Sequence, residues 1–288
     1  MAEAKTKKVQ TKYSPSVIIM KILQYLVLVA GCVLVILPIL VILFGAFKTN
    51  AEFANTGIFD LPESFQWINF EIAFIDGKVL LGLRNTAIIL VLSCLGSIIT
   101  GTMTAFVIQR FSSYFTKTVK ACFLVATLLP NISMQVTVFQ IMNNFGLTET
   151  MAAPIILYIG TDIISIQIFM QFLNQISVSL DESGIVDGAS YPRIYFSIIL
   201  PNLTPAIATV LIIKFVSIYN DFYTPQLYMS KPELRVVSTA LYNFIGPYGA
   251  KWEIIFAGII IAIIPTLIIF LTLQKYIYSG LVSGAVKE

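Results

Sequence analysis

The sequence predicts an all-α polytopic membrane protein with six transmembrane helices. Three observations support that prediction. Apolar residues make up 57% of the 288-residue chain and charged residues 11%, where an ordinary soluble chain has about 25% charged residues. Charge-poor apolar runs recur at lengths near the roughly 20 residues that cross a bilayer as a helix. Lys and Arg stand mostly at the ends of those runs. This balance excludes a soluble enzyme and a disordered scaffold. A net charge of +3 without a basic stripe excludes a nucleic-acid partner.

The spans follow in order. The first, 22–47, lies between Lys21 and Lys48, and the second, 85–109, between Arg84 and Arg110. The third occupies about 121–143. The fourth, about 152–173, contains Asp162; the fifth, about 203–227, contains Lys214 and Asp221. The sixth, about 254–274, lies between Glu253 and Lys275. Each reads as a helix, because a chain in lipid must satisfy its own backbone hydrogen bonds. The chain thus divides into a tail (1–21), a six-span domain (22–274) and a second tail (275–288). The loop 48–83, with Pro62, is too short for much core and reads as an ordered cap.

Lys and Arg set the orientation. Lys5, Lys7, Lys8, Lys12, Lys21, Arg110, Lys117, Lys120, Arg193, Lys275 and Lys287 fall on one side. Lys48, Lys78, Arg84, Lys231, Arg235 and Lys251 fall on the other. Eleven against six places both termini in the cytoplasm, and Trp67 and Trp252 at the outer interface. The stretch Leu28–Cys32 resembles a lipoprotein cleavage box. The chain stays apolar to Phe47, however, and is expected to remain uncleaved.

The chemistry-bearing residue types are sparse. The chain has no histidine, which removes the usual zinc sites and histidine-based catalysis. Cys32, Cys94 and Cys122 lie in apolar runs without Cys-x-x-Cys spacing, so they read as small apolar residues. No Gly-x-x-x-x-Gly-Lys-Ser/Thr loop is present, so the chain is not expected to hydrolyse ATP itself.

The segment 181–205 between the fourth and fifth spans is the informative one. Asp181 and Glu182 suit a helix N-terminus. Gly188 suits a turn after that helix, and Pro192 the first turn of the next. Pro201 and Pro205 bracket entry into the fifth span. Physically this is either a rigid bent pair able to receive force from a partner or an interfacial loop.

The same residues resemble the EAA loop in the membrane subunits of bacterial binding-protein-dependent ABC importers. Glu182, then Asp187-Gly188-Ala189, Phe196, Leu200-Pro201 and Pro205 match that pattern in spacing. Ser183 and Gly184 replace its two alanines. Gly184 should weaken the first helix by about 1 kcal/mol relative to Ala. The resemblance runs nearly the whole chain. It is strongest to the carbohydrate branch, specifically the shorter six-span subunit of the maltose-type pair. Trp67-Ile68-Asn69-Phe70, Tyr219-Asn220-Asp221-Phe222, Gln274-Lys275-Tyr276 and Gly284-Ala285-Val286-Lys287 resemble that branch's segments. Tyr219 stands where the branch has Trp.

The resemblance implies a permease subunit that forms half of a translocation pore for an oligosaccharide. Its partners would be a second permease subunit, two ATPase subunits, an extracytoplasmic sugar-binding protein and the lipid bilayer of the cell membrane. ATP and Mg would bind the ATPases, with no cofactor and no metal in this chain. Glu182 would enter an ATPase cleft, and Gly188 would hold the bend of a cytoplasmic coupling helix. The outer loop 228–252 would approach the binding protein, with Gly246-Pro247-Tyr248-Gly249 as its tip or as an ordinary turn. A non-sugar or acidic solute, such as glycerol phosphate or an acidic sugar, is the alternative cargo. An ion-coupled secondary carrier would leave 182–205 unexplained and show an inverted repeat, which is not evident.

Charges inside a membrane are expensive and face protein or water. Asp162 and Lys214 sit about halfway along their spans, at similar depth. They read as a structural ion pair, as contacts to a partner or wet cavity, or as a substrate selector. Asn220, Asp221 and Phe222, further toward the outer face, read as a pore or gate group or as a helix-packing patch.

Overall fold

The structure, a computed structural model, describes residues 15–285 except 130, 161, 247 and 248. Helix α1 runs Pro15–Ala46 and is followed by a cap containing α2 (Asn50–Asn55) and α3 (Ile68–Ile75). Helix α4 (Val79–Arg110) crosses back. Then come α5 (Tyr114–Leu128), α6 (Asn131–Asn144), α7 (Ala152–Gly160) and α8 (Ile163–Leu173). A helical hairpin follows, formed by α9 (Val178–Val186) and the stretch α10 (Tyr191–Ile194), a π turn (Tyr195–Ile199) and α11 (Leu200–Asn202). Helices α12 (Thr204–Asn220) and α13 (Tyr223–Tyr228) lead into a second cap segment with α14 (Val237–Ala240). A two-residue antiparallel pair, β1 (Ile245–Gly246) with β2 (Gly249–Ala250), precedes the last helix, α15 (Trp252–Ala285). Among the described residues the fold is all-α apart from that pair.

Among the described residues, four stretches are long and apolar enough to cross a membrane: α1, α4, α7 with α8, and Trp252–Thr272 of α15. Two bent pairs bring the number to six if each is one span: α5 with Ser133–Asn144, bent by 114°, and Tyr191–Asn202 with α12, bent by 69°. The spans alternate between a hairpin end, carrying 178–202, and a cap end, carrying 48–78 and 229–251.

Several boundaries depart from the sequence expectation. The second span is a longer helix than 85–109, because Arg84 marks the edge of the apolar run without breaking the helix. The third is two helices at a sharp angle, with Leu129-Pro130 between them, and the residue before a proline disfavours helix. The fourth is broken at Asp162, whose carboxylate accepts a hydrogen bond from the Ser165 amide at 3.2 Å and caps α8. The fifth stops at Asn220, and Asp221 Oδ1 accepts from the Thr224 amide at 3.1 Å to start α13. Backbone groups freed by such breaks are affordable in lipid only where protein covers them.

Helix α4 is the axis of the bundle. Ser93, Ser97, Gly101 and Ala105 recur every four residues and are all buried. Small residues at this spacing let neighbouring helices approach closely. A Cβ on Gly101 would stand 3.0 Å from the Phe169 ring, and one on Gly96 would collide with Ile159. Around this stripe, Ala105, Phe106, Phe169, Leu173, Ile194, Ile199, Leu203 and Val210 form the core at the hairpin end. Ile89, Met142, Ala153, Ile218 and Met229 form a second core toward the cap.

The cap is pinned by polar contacts. Asn69 donates to the carbonyls of Ala46 and Lys48 at 2.9 and 2.8 Å, closing the end of α1. Lys48 is 2% exposed, and its ammonium donates to Thr56 Oγ1 and the Gly57 carbonyl. Thr49 and Glu52 form a capping box on α2. Glu52 also accepts from the Glu63 amide at 2.8 Å. The amides of Thr49 and Glu63 and the Thr49 hydroxyl hold its carboxyl below the usual glutamate range.

A depressed carboxylate contributes stability that is full above its unfolded pKa and is lost as pH falls through its folded pKa. Hydrogen exchange over 49–63 should therefore stay slow down to pH values below the ordinary glutamate range. Glu52→Gln should speed that exchange several-fold at pH 7. Unchanged exchange in the variant would show that the carboxylate does not hold the cap.

Candidate functional site

The described residues present two groups of interest, one on the surface and one inside the bundle. The surface group is the hairpin. Ser177 caps α9, so the helix begins at Val178 rather than at Asp181. It ends in a Schellman motif: the Gly188 amide donates to the Ile185 carbonyl at 3.0 Å and the Ala189 amide to the Gly184 carbonyl at 2.9 Å. Gly188 has φ +78°, the left-handed region that a side chain disfavours. The chain then reverses, and Pro192 opens α10. Gly184 faces the returning helix; a Cβ there would lie 3.1 Å from both Ile194 and Ile198. Replacing the pattern's alanine by glycine thus brings the two arms closer together. The π turn lies just before Pro201, whose ring removes an amide donor and crowds the preceding turn. Pro205 opens α12 after the 69° bend.

The matched side chains do not form one cluster. Glu182, Asp187 and Gly188 are exposed at the tip of the hairpin, beside Ile185 and Val186. Phe196 and Pro201 are exposed on the returning arm, while Ala189 and Leu200 are half-buried. The tip therefore presents two carboxylates among exposed aliphatic side chains, a surface suited to a partner with basic and apolar groups.

The internal group centres on Lys214. Its ammonium lies 2.7 Å from Asp162 Oδ2, donates to Ser97 Oγ at 2.7 Å and also donates to the Tyr158 carbonyl. That carbonyl lies in the last described turn of α7, where Ser97 Oγ is also 3.3 Å from it. The break at Asp162 and the charge of Lys214 thus compensate each other. One hydroxyl from α4, one carbonyl from α7 and one carboxylate from the α8 cap hold a lysine from α12.

Tyr158 extends the network toward the cap. Its hydroxyl donates to Asp221 Oδ2 at 2.8 Å, and Ser238 donates to the Asp221 carbonyl at 2.6 Å. Asp221 is therefore fully engaged within the chain. Asn220 is bonded to the Val216 carbonyl of its own helix. Phe222, 39% exposed, packs at 5.7 Å from the Tyr242 ring. A cavity of about 230 Å³ opens beside this network, lined by Gln135, Tyr158, Tyr223, Thr224 and Tyr228 among others. At the cap, Gly246 and Gly249 are exposed on the β1–β2 pair, whereas Pro247 and Tyr248 lie outside the described residues. Among the described residues, no group of three His, Cys, Asp or Glu side chains is placed to hold a metal ion.

Two pairings escaped sequence reading. Arg110, at the end of α4, lies with Nε 2.6 Å from Asp181 Oδ2 and donates through Nη2 to the Ile176 carbonyl at 2.9 Å. At the other end of α4, Asn85 donates to the carbonyls of Glu233 and Arg235, both at 2.9 Å. Both bring together residues far apart in sequence, and no periodicity announces them.

Residues 95–282 match the family model described as the binding-protein-dependent transport system inner membrane component. The chain belongs to this family. It is 32% identical to the probable starch degradation products transport system permease protein AmyC of Thermoanaerobacterium thermosulfurigenes, over 92% of this chain and 97% of that protein. It is 28% identical to the melibiose/raffinose/stachyose import permease protein MelC of Bacillus subtilis, over 93% and 97%. Its fold matches a chain in the crystal structure of a bacterial ABC transporter involved in the import of the acidic polysaccharide alginate. There the TM-score is 0.81 at 19% identity, covering 92% of this chain and 98% of that one. The chain is thus a non-catalytic permease subunit of a multi-subunit ABC importer, embedded in the membrane and related to several sugar permeases.

Removing one partner of a buried ion pair costs about 3–5 kcal/mol, whereas replacing both can be nearly neutral. Lys214→Met and Asp162→Asn should each lower the amount of assembled subunit in the membrane, and the double variant should be milder than either single change. Strictly additive losses in a double-mutant cycle would mean that the pair contributes nothing as a pair.

Proposed function

We propose that the chain is one of two different permease subunits in an importer of neutral oligosaccharides, of the maltose-transporter type. It has six spans, each bent pair counting as one, and both termini are cytoplasmic. Residues 22–274 are the permease domain, and 181–205 the EAA-type coupling loop between spans four and five. An extracytoplasmic binding protein delivers the sugar to the cap side. Two ATPase subunits, with their ATP and Mg, dock on the hairpin through Glu182, Asp187, Gly188 and Ala189. Phe196, Leu200, Pro201 and Pro205 hold the hairpin's angle to the fifth span.

The hairpin is the observation on which this reading rests. It is stiff by construction: a Schellman turn at Gly188, glycine-to-isoleucine packing at Gly184 and a proline-marked bend into α12. A stiff protruding element transmits displacement, and its exposed carboxylates offer a partner contact. Transport by relatives of starch degradation products and of melibiose, raffinose and stachyose supports a sugar cargo. A neutral cargo is favoured by Lys214, which is buried and already paired with Asp162 and so has no free charge to offer an anion. Asp162 and Lys214 are then structural, Asn220, Asp221 and Phe222 act as a gate or packing group, and Gly246–Gly249 form a contact loop for the binding protein.

A Cβ at Gly188 meets nothing within 4 Å, so substitution there acts through backbone strain and added charge. The left-handed conformation costs an L-residue about 1–2 kcal/mol. Gly188→Asp should abolish uptake while leaving the subunit in the membrane at normal level, and Gly188→Ala should retain partial uptake. Normal uptake by Gly188→Asp would remove the coupling assignment. Uptake of a labelled panel in a strain deleted for this chain addresses the cargo. Loss of a neutral oligosaccharide is expected. Loss of an acidic sugar or glycerol phosphate alone would overturn the neutral assignment.

A further inference from the structure

Helix α4 is fastened at both ends by buried polar contacts, and the two fastenings differ in kind. At the hairpin end Arg110 grips both sides of the α9 N-terminus, the Ile176 carbonyl just before it and the Asp181 carboxylate in its first turn. Both side chains are about nine-tenths buried. At the cap end Asn85 is 1% exposed and spends both amide hydrogens on the carbonyls of Glu233 and Arg235. The neighbouring Thr86 adds a contact, its hydroxyl accepting from the Val237 amide at 3.0 Å. Thr102 adds a second polar contact to the hairpin, a hydrogen bond of 2.7 Å with the Tyr195 hydroxyl on its returning arm. Between its two ends the helix presents its small-residue stripe to apolar neighbours, with Ser97 meeting the Lys214 network on the way.

From Asn85 to Arg110 the helix rises about 37 Å at 1.5 Å per residue. A continuous α-helix of this length is stiff against compression, and it has no internal proline to bend it. We propose that α4 is a push-rod that carries displacement of the hairpin to the cap segment 229–251, with Arg110 and Asn85 as its two positioning residues. This deepens the coupling reading above and rests on it. The hairpin runs directly into α12 as well, through Leu203, and the end of α12 meets the cap segment where Ser238 donates to the Asp221 carbonyl and Ile218 packs against Val236. Helix α4 differs in holding both segments through side chains of its own, with an unbroken helix between those fastenings. A motion of α9 that keeps the Arg110 contacts must move α4 along or about its axis. Asn85 then moves the backbone of 233–237.

The test reads one end while changing the other. In the complete importer in proteoliposomes, Cys32, Cys94 and Cys122 are replaced by Ala and the exposed Glu233 by Glu233→Cys. The labelling rate by a membrane-impermeant maleimide is measured with and without trapping of ADP and vanadate. Trapping should change the rate at least threefold. Arg110→Lys, which keeps the charge but loses the two-sided grip, should reduce that change to less than 1.5-fold, and so should Asn85→Ala. Vanadate trapping itself should remain within twofold of the parent. A local structural role of Arg110 would not reach a probe this distant. Should the Arg110→Lys complex fail to assemble, the isosteric Asp181→Asn takes its place. A trapping-dependent change that persists in either end's variant overturns the push-rod, as does its absence in the parent. Gly188→Asp separates this from the coupling assignment. A change lost there but kept in Arg110→Lys overturns α4 alone, and a change kept in both overturns the coupling reading as well.

Discussion

Lys214 makes the interior of this bundle possible. A helix in lipid cannot be interrupted cheaply, because each freed amide or carbonyl loses its partner in a medium that offers none. The chain interrupts the apolar stretch 152–173 at Asp162, about halfway along it. The ammonium of Lys214 then meets both consequences at once, neutralising the cap carboxylate and occupying a carbonyl of the last turn of α7. Ser97 on α4 completes the set. The lysine is correspondingly expensive to bury alone and inexpensive to bury here. Neither the broken span nor the buried charge is stable without the other. Three spans become committed to one another through a single side chain.

The same network explains why α4 packs as it does. Ser97 can reach Lys214 only if α4 lies close to α7 and α12, and the stripe of Ser93, Ser97, Gly101 and Ala105 provides that closeness. Phe169 fills the space opposite Gly101, and Thr102 shares a hydrogen bond with Tyr195 at 2.7 Å. Packing at the hairpin end is therefore continuous from α4 through α8 to the returning arm of the hairpin. The hairpin is anchored in the same core that the broken helix requires.

Much of this was legible from composition and much was not, for physical reasons. Hydropathy locates lipid exposure, so it found all the apolar runs. Charge marks where a run leaves the lipid, not where a helix stops. For that reason Arg84 was placed outside a helix that in fact includes it. The break at Asp162 had a local signal in Gly160-Thr161-Asp162, a helix-ending glycine followed by an N-capping aspartate, but the apolar runs on either side masked it. Gly188 was readable because its role is local: a left-handed residue is written in the chain as glycine. Arg110 with Asp181, and Asn85 with the carbonyls of Glu233 and Arg235, were not readable. Such contacts depend on which helices become neighbours, and a backbone carbonyl leaves no trace in sequence.

The two kinds of contact also divide the labour between holding and moving. Along its middle, α4 meets its neighbours mainly through small and apolar side chains, whose contact energy is spread over many weak pairs of about 0.1–0.2 kcal/mol each. A small axial shift exchanges such pairs gradually. At its ends, directional bonds to buried groups resist separation, since leaving a buried charge or amide unpaired costs several times more. A helix that slides easily between firm attachments passes displacement along instead of absorbing it. The Lys214 cluster bounds that travel. Ser97 can shift only as far as the lysine side chain can follow it while still reaching Asp162 and the Tyr158 carbonyl. In the proposed motion the buried charge limits the travel as well as holding the broken helix, through the reach of one flexible four-carbon stem.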